Sequence, residues 1–282
     1  MPDQAKWTRL GLIAGGGDLP VEIAHAMAGM NPFIVRVKGF GTDPFEGFES
    51  IERSIGQIGG ILKALKEAGC DALCFAGYVK RPDIKDLKMD AHGLVLVPRA
   101  LAAGRKGDDA ILRVVIEEFE QAGLTVIGAN DVLKSLAPAA GQLTVTAPSG
   151  DDRADIDKAL LTARHMGELD IGQAAVVAHG VVLAVEAQEG TNGMLDRLTE
   201  LPAHLRGSAE RRLGVLAKTP KPIQERRIDL PTIGLETVTR CDRAGLAGIA
   251  LEAGSALIVN REAVIAALDE AGMFLVVKDA QP

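Results

Sequence analysis

Short aliphatic runs alternate with amphipathic segments through the first half of this 282-residue chain, and this alternation restricts the possible folds most strongly. The runs have the length of buried strands, and the intervening segments repeat apolar residues at helical spacing. The candidate strands are residues 9–14, Val35 with Val37, 71–76 and 124–127, and the candidate helices are 19–30, 58–65 and 107–122. Such alternation produces a parallel sheet with right-handed crossovers. We therefore predict a Rossmann-like parallel α/β domain in residues 1–137.

A second α/β domain is predicted after a change in composition at residues 138–149. This stretch includes Pro138-Ala-Ala-Gly141 and Pro148-Ser-Gly150, which favour turns over regular structure, so we interpret it as a linker. Residues 150–282 then resume the alternation. A helix is expected to start near Asp151 or Asp152, and residues 174–178 and 181–185 are expected to pair as strands.

Composition excludes several classes of protein. The net charge is −7 and aromatic residues make up 3% of the chain, which argues against a general nucleic-acid-binding surface. Cys70, Cys74 and Cys241 are odd in number and form no CxxC pair, so we expect a reduced, cytoplasmic protein without structural zinc. No apolar run reaches 18 residues and no secretion signal is visible, so a soluble protein is expected.

A glycine-rich turn follows the first predicted strand. Gly15, Gly16, Gly17 and Asp18 stand where a βα turn can bring backbone N–H groups close to a phosphate or a ribose. The pattern is not GxGxxG, because Leu19-Pro20 occupies the place of the third glycine, and it is not a P-loop. The alternative is a tight turn without a ligand.

Basic residues follow the third strand and precede the clearest helix. Lys80 and Arg81 would lie beyond the carboxyl end of a parallel strand, a common place for an anionic ligand. Arg99 and the Gly107-Asp108-Asp109 step lead into the helix that starts near residue 107, and the two aspartates are candidates for holding a divalent ion. The alternatives are a solvated basic loop and simple helix capping by Asp108.

The second half contains two polar stretches. Glu186 ends a predicted strand, where it could orient a sugar hydroxyl or a metal ion, and Gly190, Thr191 and Asn192 open the next helix. Thr191 or Asn192 could instead be the N-cap. A proline-punctuated loop then carries alternating charges that could clamp a diphosphate and hold Mg²⁺ through Asp229. Its candidate residues are Lys218, Lys221, Gln224, Glu225, Arg227, Asp229 and Thr232. The alternative is a surface network of ion pairs.

Six motifs in this order resemble the LpxI-type UDP-2,3-diacylglucosamine pyrophosphatases. The resemblance extends from Gly11 to Val277 and is carried by Gly11-Leu-Ile-Ala-Gly-Gly-Gly17 with Leu19-Pro20, Pro98-Arg99, Gly107-Asp-Asp-Ala110, Val185-Glu-Ala187 with Glu189-Gly-Thr191, Lys221-Pro with Gln224, and Asp229-Leu-Pro-Thr-Ile-Gly234. The sequence departs from the family pattern at Glu225 and Asn192, where the family usually has Asp.

This resemblance implies a bacterial enzyme of lipid A synthesis that works in the cytoplasm at the inner-membrane surface. It implies two α/β domains with the site between them, a homodimer, and Mg²⁺-dependent hydrolysis of UDP-2,3-diacylglucosamine to UMP and 2,3-diacylglucosamine 1-phosphate (lipid X). Water would attack the β-phosphorus. Asp229 matches the family's key acid, and Asp229, Glu186 and Glu225 are the candidate metal ligands. The aliphatic composition is compatible with an apolar chamber for the acyl chains.

Two other functions remain open at the level of sequence. An NAD(P)-dependent oxidoreductase would explain the glycine-rich turn, but the third glycine is missing and Val37 leads into Lys38 rather than into an acid. A non-catalytic carrier of a nucleotide sugar or lipid would bind the same ligand without metal-dependent turnover.

Overall fold

The computed structural model describes residues 7–40, 45–79, 85, 87–222 and 225–279. Within these residues the chain divides into two compact units. Unit 1 runs as far as Lys134 and also includes Glu225–Asp229, whereas unit 2 contains the rest. A short segment from the C-terminal half is thus part of the N-terminal unit.

Unit 1 is built on a parallel sheet, as the alternation predicts. Its described strands lie in the order β3-β2-β1-β4-β5, with β1 in the centre, and every pairing is parallel. The central strand is buried along its whole length, as expected for a sheet covered on both faces. The strands are β1 Leu10–Ala14, β2 Phe33–Val37, β3 Ser50–Arg53, β4 Ala72–Ala76 and β5 Thr125–Val126. The Rossmann-like fold class is therefore confirmed.

Five α-helices belong to the described part of unit 1. They are α1 Leu19–Ala26, α2 Ile58–Glu67, α3 Ala91–Ala103, α4 Asp108–Gln121 and α5 Ala129–Val132. In α2, the predicted face of Ile58, Ile61, Leu62 and Leu65 is buried. The sequence does not predict α3, because Pro98 interrupts a helical pattern and ordinarily ends a helix.

Unit 2 contains a mixed sheet with strand order β6-β13-β11-β9-β7-β8 among the described residues. Strands β9, β11 and β13 are parallel, while β7 runs antiparallel to both β8 and β9. A separate short parallel pair joins β10 to β12. The strands are β6 Gly141–Gln142, β7 Ala174–Ala178, β8 Val181–Val185, β9 Val215–Lys218, β10 Thr232–Ile233, β11 Gly248–Glu252, β12 Leu257–Ile258 and β13 Phe274–Lys278.

The first helix of unit 2 starts at Gly150, next to the predicted start near Asp151 or Asp152, and four further helices follow among the described residues. The five are α6 Gly150–Glu168, α7 Gly190–Leu198, α8 Ala203–Arg206, α9 Leu235–Arg243 and α10 Arg261–Glu270. Helix α6 begins with a capping box, in which the Ser149 hydroxyl accepts from the Asp152 N–H and the Asp152 carboxylate accepts from the Ser149 N–H. Among the described residues, no helix combines the length and apolarity required to cross a membrane.

Strands β7 and β8 form the predicted hairpin. His179 and Gly180 at its turn both have positive φ angles, of 49° and 72°. The buried carboxylate of Asp155 accepts hydrogen bonds from both backbone N–H groups, at 2.8 and 2.7 Å. This bond pair supports a turn that the His-Gly sequence signals only weakly.

The stretch interpreted as a linker contains regular structure. Strand β6 lies within residues 138–149 and pairs antiparallel with β13. Beyond it, Leu143 donates its N–H to Leu275 O, and the Thr144 hydroxyl accepts from Leu275 N at 2.8 Å. These residues are part of unit 2.

Candidate functional site

The glycine-rich turn packs closely against its own chain. Gly15 N–H donates to Ala76 O at 2.9 Å, and Gly16 exchanges two backbone hydrogen bonds with Tyr78 at 2.8 and 3.0 Å. A Cβ on Gly15 would lie 2.6 Å from Tyr78 O, and one on Gly16 would lie 2.6 Å from the Tyr78 ring. Contact with Tyr78 therefore disfavours a side chain at both positions whether or not a ligand binds, most strongly at Gly15, where the neighbour is backbone.

The rest of the turn leaves more freedom for a ligand. Gly17 has a φ of +89°, and Asp18 is the N-cap of α1 but makes no side-chain capping hydrogen bond. The Tyr78 side chain lies over Gly16 and Gly17 and is 59% exposed. Lys80 and Arg81, the predicted basic pair next to this turn, fall outside the described residues.

The start of α4 brings a carboxylate into contact with the loop from the C-terminal half. Gly107, with a φ of +110°, is the N-cap of this helix, so the interpretation of Asp108 as the cap is wrong. The side chain of Asp108 lies outside the described part of the chain. The Asp109 carboxylate pairs with Arg113 at 2.8 Å and accepts a hydrogen bond from the Glu225 N–H.

The 225–229 segment is held on unit 1 by charge and by packing. Arg227 donates from Nε and one terminal nitrogen to Glu225, at 2.8 and 3.0 Å, and from the other to Glu120 at 2.6 Å. The backbone N–H groups of Ile228 and Asp229 both donate to Glu225 O at 3.1 Å. Ile228 packs against the apolar core of unit 1. Residues separated by more than 100 positions are thus brought together at α4.

The ion pair between Glu225 and Arg227 shifts the pKa values of both side chains. Hydrogen bonds from the Arg227 side chain lower the pKa of Glu225 below its ordinary value, against the smaller opposing effect of burial. The same pairing raises the pKa of Arg227. Glu225 is therefore ionised and Arg227 cationic at neutral pH, as a site for an anion or a metal ion requires.

The predicted metal ligands are divided between the units. Glu225 and Asp229 belong to unit 1 and Glu186 to unit 2. Within the residues whose side chains are described, no group of three or more His, Cys, Asp or Glu side chains forms a ready metal site. Carboxylate oxygens are nonetheless the donors that Mg²⁺ takes, and one or two suffice when phosphate and water supply the rest.

Glu186 lies in a buried polar cluster of unit 2. Its carboxylate accepts from the Thr191 hydroxyl at 3.1 Å and from Gln173 N–H at 3.3 Å, and the residue is 7% exposed. Helix α7 starts at Gly190 with Glu189 as N-cap, so the interpretation of Thr191 or Asn192 as the cap is wrong. Thr191 instead orients Glu186.

The lysines of the proline-punctuated loop are also engaged. Lys218 is buried at the end of β9 and donates to Thr232 O at 3.0 Å. Lys221 pairs with Asp170 at 2.8 Å. The Thr232 hydroxyl donates to Leu230 O at 3.0 Å. Gln224 lies outside the described residues.

Two buried polar residues of unit 2 are not predicted as site residues from the sequence. The Gln173 side-chain oxygen and the Thr219 hydroxyl are buried and have no hydrogen-bond partner within the described structure. They are adjacent, since Thr219 N–H donates to Gln173 O at 3.0 Å, and Gln173 also contacts Glu186. Buried polar atoms are ordinarily satisfied by protein, water or ligand. Both residues lie at strand ends, Gln173 before β7 and Thr219 after β9, and this position is the sequence signal for them.

Arg99 lies beside a groove on unit 1. Its guanidinium is 3.5 Å from Glu118, whose other oxygen is 2.6 Å from the His92 ring. The groove has a volume of about 630 Å³ and lies among α2, α3 and α4. His92 and Glu118 line it, together with Lys63, Lys66 and Glu67.

The fold and these clusters define an α/β protein of two units whose arginines and carboxylates suit a phosphate-bearing ligand. Comparison with family models matches residues 9–136 to the LpxI N-terminal domain and residues 139–276 to the LpxI C-terminal domain. The chain therefore belongs to the LpxI family.

A relative and a solved structure complete the comparison. The Caulobacter vibrioides protein named UDP-2,3-diacylglucosamine pyrophosphatase LpxI is 54% identical over 275 residues, which cover 97% of this chain and 98% of that protein. The structure of CobK precorrin-6A reductase aligns over 98% of this chain and 89% of its own, with 12% identity. Its TM-score of 0.36 is too low to support an argument.

Proposed function

We propose that this protein hydrolyses UDP-2,3-diacylglucosamine to UMP and 2,3-diacylglucosamine 1-phosphate. The observation that carries the proposal is the 54% identity, over nearly the whole of both chains, to the Caulobacter protein named for that activity. The charged clusters at α4 and at Glu186 support it, because diphosphate cleavage depends mainly on neutralising and positioning charge.

In the proposed reaction, water attacks the β-phosphorus. The new bond joins the water oxygen to that phosphorus, and the bond to the bridging oxygen breaks, so the bridging oxygen leaves with UMP. Arg227 is proposed to hydrogen-bond the diphosphate, with Glu225 and Glu120 holding its guanidinium in one orientation. We propose that Asp229 accepts the proton that the attacking water loses as the new bond to phosphorus forms, and that the second proton passes to solvent from the sugar phosphate.

Magnesium is proposed as the cofactor, with Asp229, Glu186 and Glu225 as its candidate protein ligands. Bound Mg²⁺ would neutralise phosphate oxygens and lower the pKa of a bound water. Glu225 already binds Arg227 through both oxygens, so its participation would require one of those hydrogen bonds to open. For that reason we give Asp229 the principal role.

The proposed setting of this reaction is the cytoplasmic face of the inner membrane. The substrate and the sugar-phosphate product each carry two acyl chains, so the enzyme would contact the bilayer without spanning it. A homodimer is the proposed assembly.

The direct test is UMP release by the purified protein, with Mg²⁺ and with EDTA. Asp229→Ala is expected to reduce turnover at least a thousandfold while leaving the thermal midpoint within a few degrees of the wild type, because the side chain is proposed to act on the reacting water. In water enriched in ¹⁸O, the label is expected in the sugar phosphate.

Asp157→Ala is the matched control, since Asp157 is exposed on α6 and pairs only with Lys278 among the described contacts. Normal turnover by Asp229→Ala would remove the role given to that residue. Label in UMP would contradict attack on the β-phosphorus. Tight substrate binding without turnover would favour a non-catalytic carrier. Saturable binding of NADH would favour an NAD(P)-dependent oxidoreductase.

A further inference from the structure

Helix α3 turns an apolar face to solvent. Leu94 and Val95 are 60% and 65% exposed, and Leu101, one to two turns further along, is 40% exposed. Pro98 and Ala102 lie on the same side of the helix and are also exposed. The opposite side is buried at Gly93, Leu96 and Ala100. The helix is thus anchored in unit 1 by one apolar face and presents a second one outwards, an arrangement that marks an interaction surface.

Basic residues frame this face. Lys88 precedes the helix, Arg99 lies at the edge of the exposed face and Arg105 follows its C-terminal end, and all three are exposed. The sequence from Lys80 to Lys106 contains seven Lys and Arg against three Asp, within a chain whose net charge is −7. Two acids lie next to the helix: the Asp90 carboxylate accepts from the N–H groups of Gly93 and Gly60, and Glu118 on α4 is 2.6 Å from the His92 ring and 3.5 Å from Arg99. The local charge is therefore positive where the whole chain is acidic.

We propose that α3 docks on the surface of an anionic lipid bilayer, with Leu94, Val95 and Leu101 inserted between the headgroups. An exposed apolar helix face with flanking Lys and Arg has the properties of an interfacial helix, which gains from both acyl-chain contact and anionic headgroups. Thirteen residues span about 20 Å, enough to lie in the plane of the interface but not to cross the bilayer.

The proposal rests on the proposed function, because a diacylated substrate has to be collected from a membrane. Within unit 1, a short connection joins α3 to the charged residues at α4: α3 ends at Ala103, a single 3₁₀ turn covers Gly104–Lys106, and Gly107 then caps α4. Docking α3 would therefore hold the charged residues at α4, Asp109 and Glu120 with the bound 225–229 segment, near the lipid headgroups.

Charge argues against a second copy of this chain as the occupant. A two-fold interface between α3 helices packed antiparallel would place the Lys88 end of one helix against the Arg105 end of the other. Both ends are basic, so the pairing would be repulsive, whereas anionic headgroups complement them.

The test is flotation with vesicles of phosphatidylglycerol and phosphatidylethanolamine, compared with phosphatidylcholine vesicles. The wild type is expected to float with the anionic vesicles, and Leu94→Gln/Val95→Gln is expected to lower this binding by about tenfold, because two apolar side chains lose their place in the interface. The matched control is Leu161→Gln/Leu169→Gln, which changes two leucines of unit 2 that are 49% and 71% exposed. Its binding is expected to equal that of the wild type.

A fluorescent variant keeps the test independent of any loss of stability. In Trp7→Phe/Leu94→Trp, the single tryptophan is expected to shift to shorter wavelength on adding anionic vesicles and to be quenched by brominated lipid. Absence of binding by the wild type, equal loss in both double variants, or no spectral shift would overturn the proposal. So would self-association of the wild type, measured by sedimentation without lipid, that Leu94→Gln/Val95→Gln abolishes.

Activity on substrate dissolved in detergent micelles separates the two proposals. Hydrolysis in micelles is expected to be the same for the wild type and both double variants, and only turnover of vesicle-embedded substrate is expected to fall with the α3 substitutions. A protein that binds vesicles through α3 but hydrolyses nothing in micelles would refute the proposed function alone.

Discussion

Arg227 is the residue on which the local structure of the candidate site most depends. One guanidinium contacts two carboxylates, Glu225 within its own segment and Glu120 on α4. The planar guanidinium can serve both because its donors point in fixed directions. Replacement by lysine would supply the charge but not this geometry, so the identity of the residue matters as well as its sign.

Glu225→Gln tests the electrostatic part of this arrangement. The pKa of Glu225 is lowered in the folded protein, so its ionised form stabilises the fold fully above about pH 4.5, and the contribution is lost as pH falls through the lower folded value. The substitution is expected to cost about 1 kcal/mol in the free energy of unfolding at pH 7. Urea titrations from pH 3 to pH 7 should show the difference from the wild type shrinking below pH 4.5. A difference that does not change with pH would contradict the ion pair.

Gly15 and Gly16 differ in what their hydrogens approach. A Cβ on Gly15 meets backbone, at Tyr78 O, whereas one on Gly16 meets the ring of the exposed Tyr78 side chain. Gly15→Ala is therefore expected to destabilise by about 2 kcal/mol and Gly16→Ala by less, since the ring can move aside. Tyr78→Ala should restore the stability of Gly16→Ala but not that of Gly15→Ala. Thermal unfolding of the two single glycine variants, and of each combined with Tyr78→Ala, measures these costs. Equal costs for the two glycines would be inconsistent with the geometry.

Among the helices of unit 1, Asp90 joins two elements through one carboxylate. It accepts from Gly93 N–H, capping α3, and from Gly60 N–H on α2, both at 2.8 Å. Burial acts to raise the pKa of Asp90, but the backbone hydrogen bonds together outweigh it and lower the pKa below its ordinary value. The position of α3, and so of its exposed face, depends on this residue.

Asp90→Ala is expected to cost about 1–2 kcal/mol at pH 7, because it removes a cap and leaves two backbone donors of different helices unsatisfied. Asp90→Asn, which keeps an acceptor oxygen, should cost less. Urea unfolding gives the free energies, and hydrogen exchange at the first turn of α3 locates the effect. A loss confined to residues outside α2 and α3 would show that the carboxylate does not join them.

Across the whole molecule, the three cysteines report on the two units separately. Cys70 and Cys74 belong to unit 1 and Cys241 to unit 2, and all three are buried. Burial raises the pKa of Cys70 to about 11 and those of Cys74 and Cys241 to about 12. Thiolate, the reactive form, is therefore scarce as well as inaccessible in the folded protein.

Native protein at pH 8 is expected to react with a thiol reagent at least a hundredfold more slowly than unfolded protein. Variants that keep only Cys74 or only Cys241, with alanine at the other positions, should follow the opening of unit 1 and unit 2 as urea is raised. Mass spectrometry of the labelled protein gives the rates. Rapid labelling of either thiol without denaturant would show that its unit opens more easily than its packing indicates.

The 225–229 segment shows that the order of residues in the sequence does not decide which unit a segment belongs to. The motif that contains Asp229 follows most of unit 2 in sequence, yet it packs on unit 1 through Ile228 and Arg227. The sequence shows the same residues as a charged loop, and nothing in their spacing reveals that Glu120 and Asp109 are their partners. Contacts between side chains more than 100 residues apart depend on the tertiary path that brings the segment back to α4. Local sequence patterns do not encode that path.

The sequence by itself determined the class of fold, most element positions and the family, because periodicity, glycine turns and ordered motifs are local properties of the chain. It did not predict α3, since the propensity of Pro98 opposes a helix that Asp90 and the packing of Leu96 and Ala100 maintain. Only the tertiary structure decided that Gly15 and Gly16 accommodate Tyr78, that Arg227 bridges Glu225 and Glu120, and that Leu94 and Val95 face solvent. Each of these outcomes depends on which distant groups meet and which remain uncovered, and that is settled only when the helices have packed on the sheet.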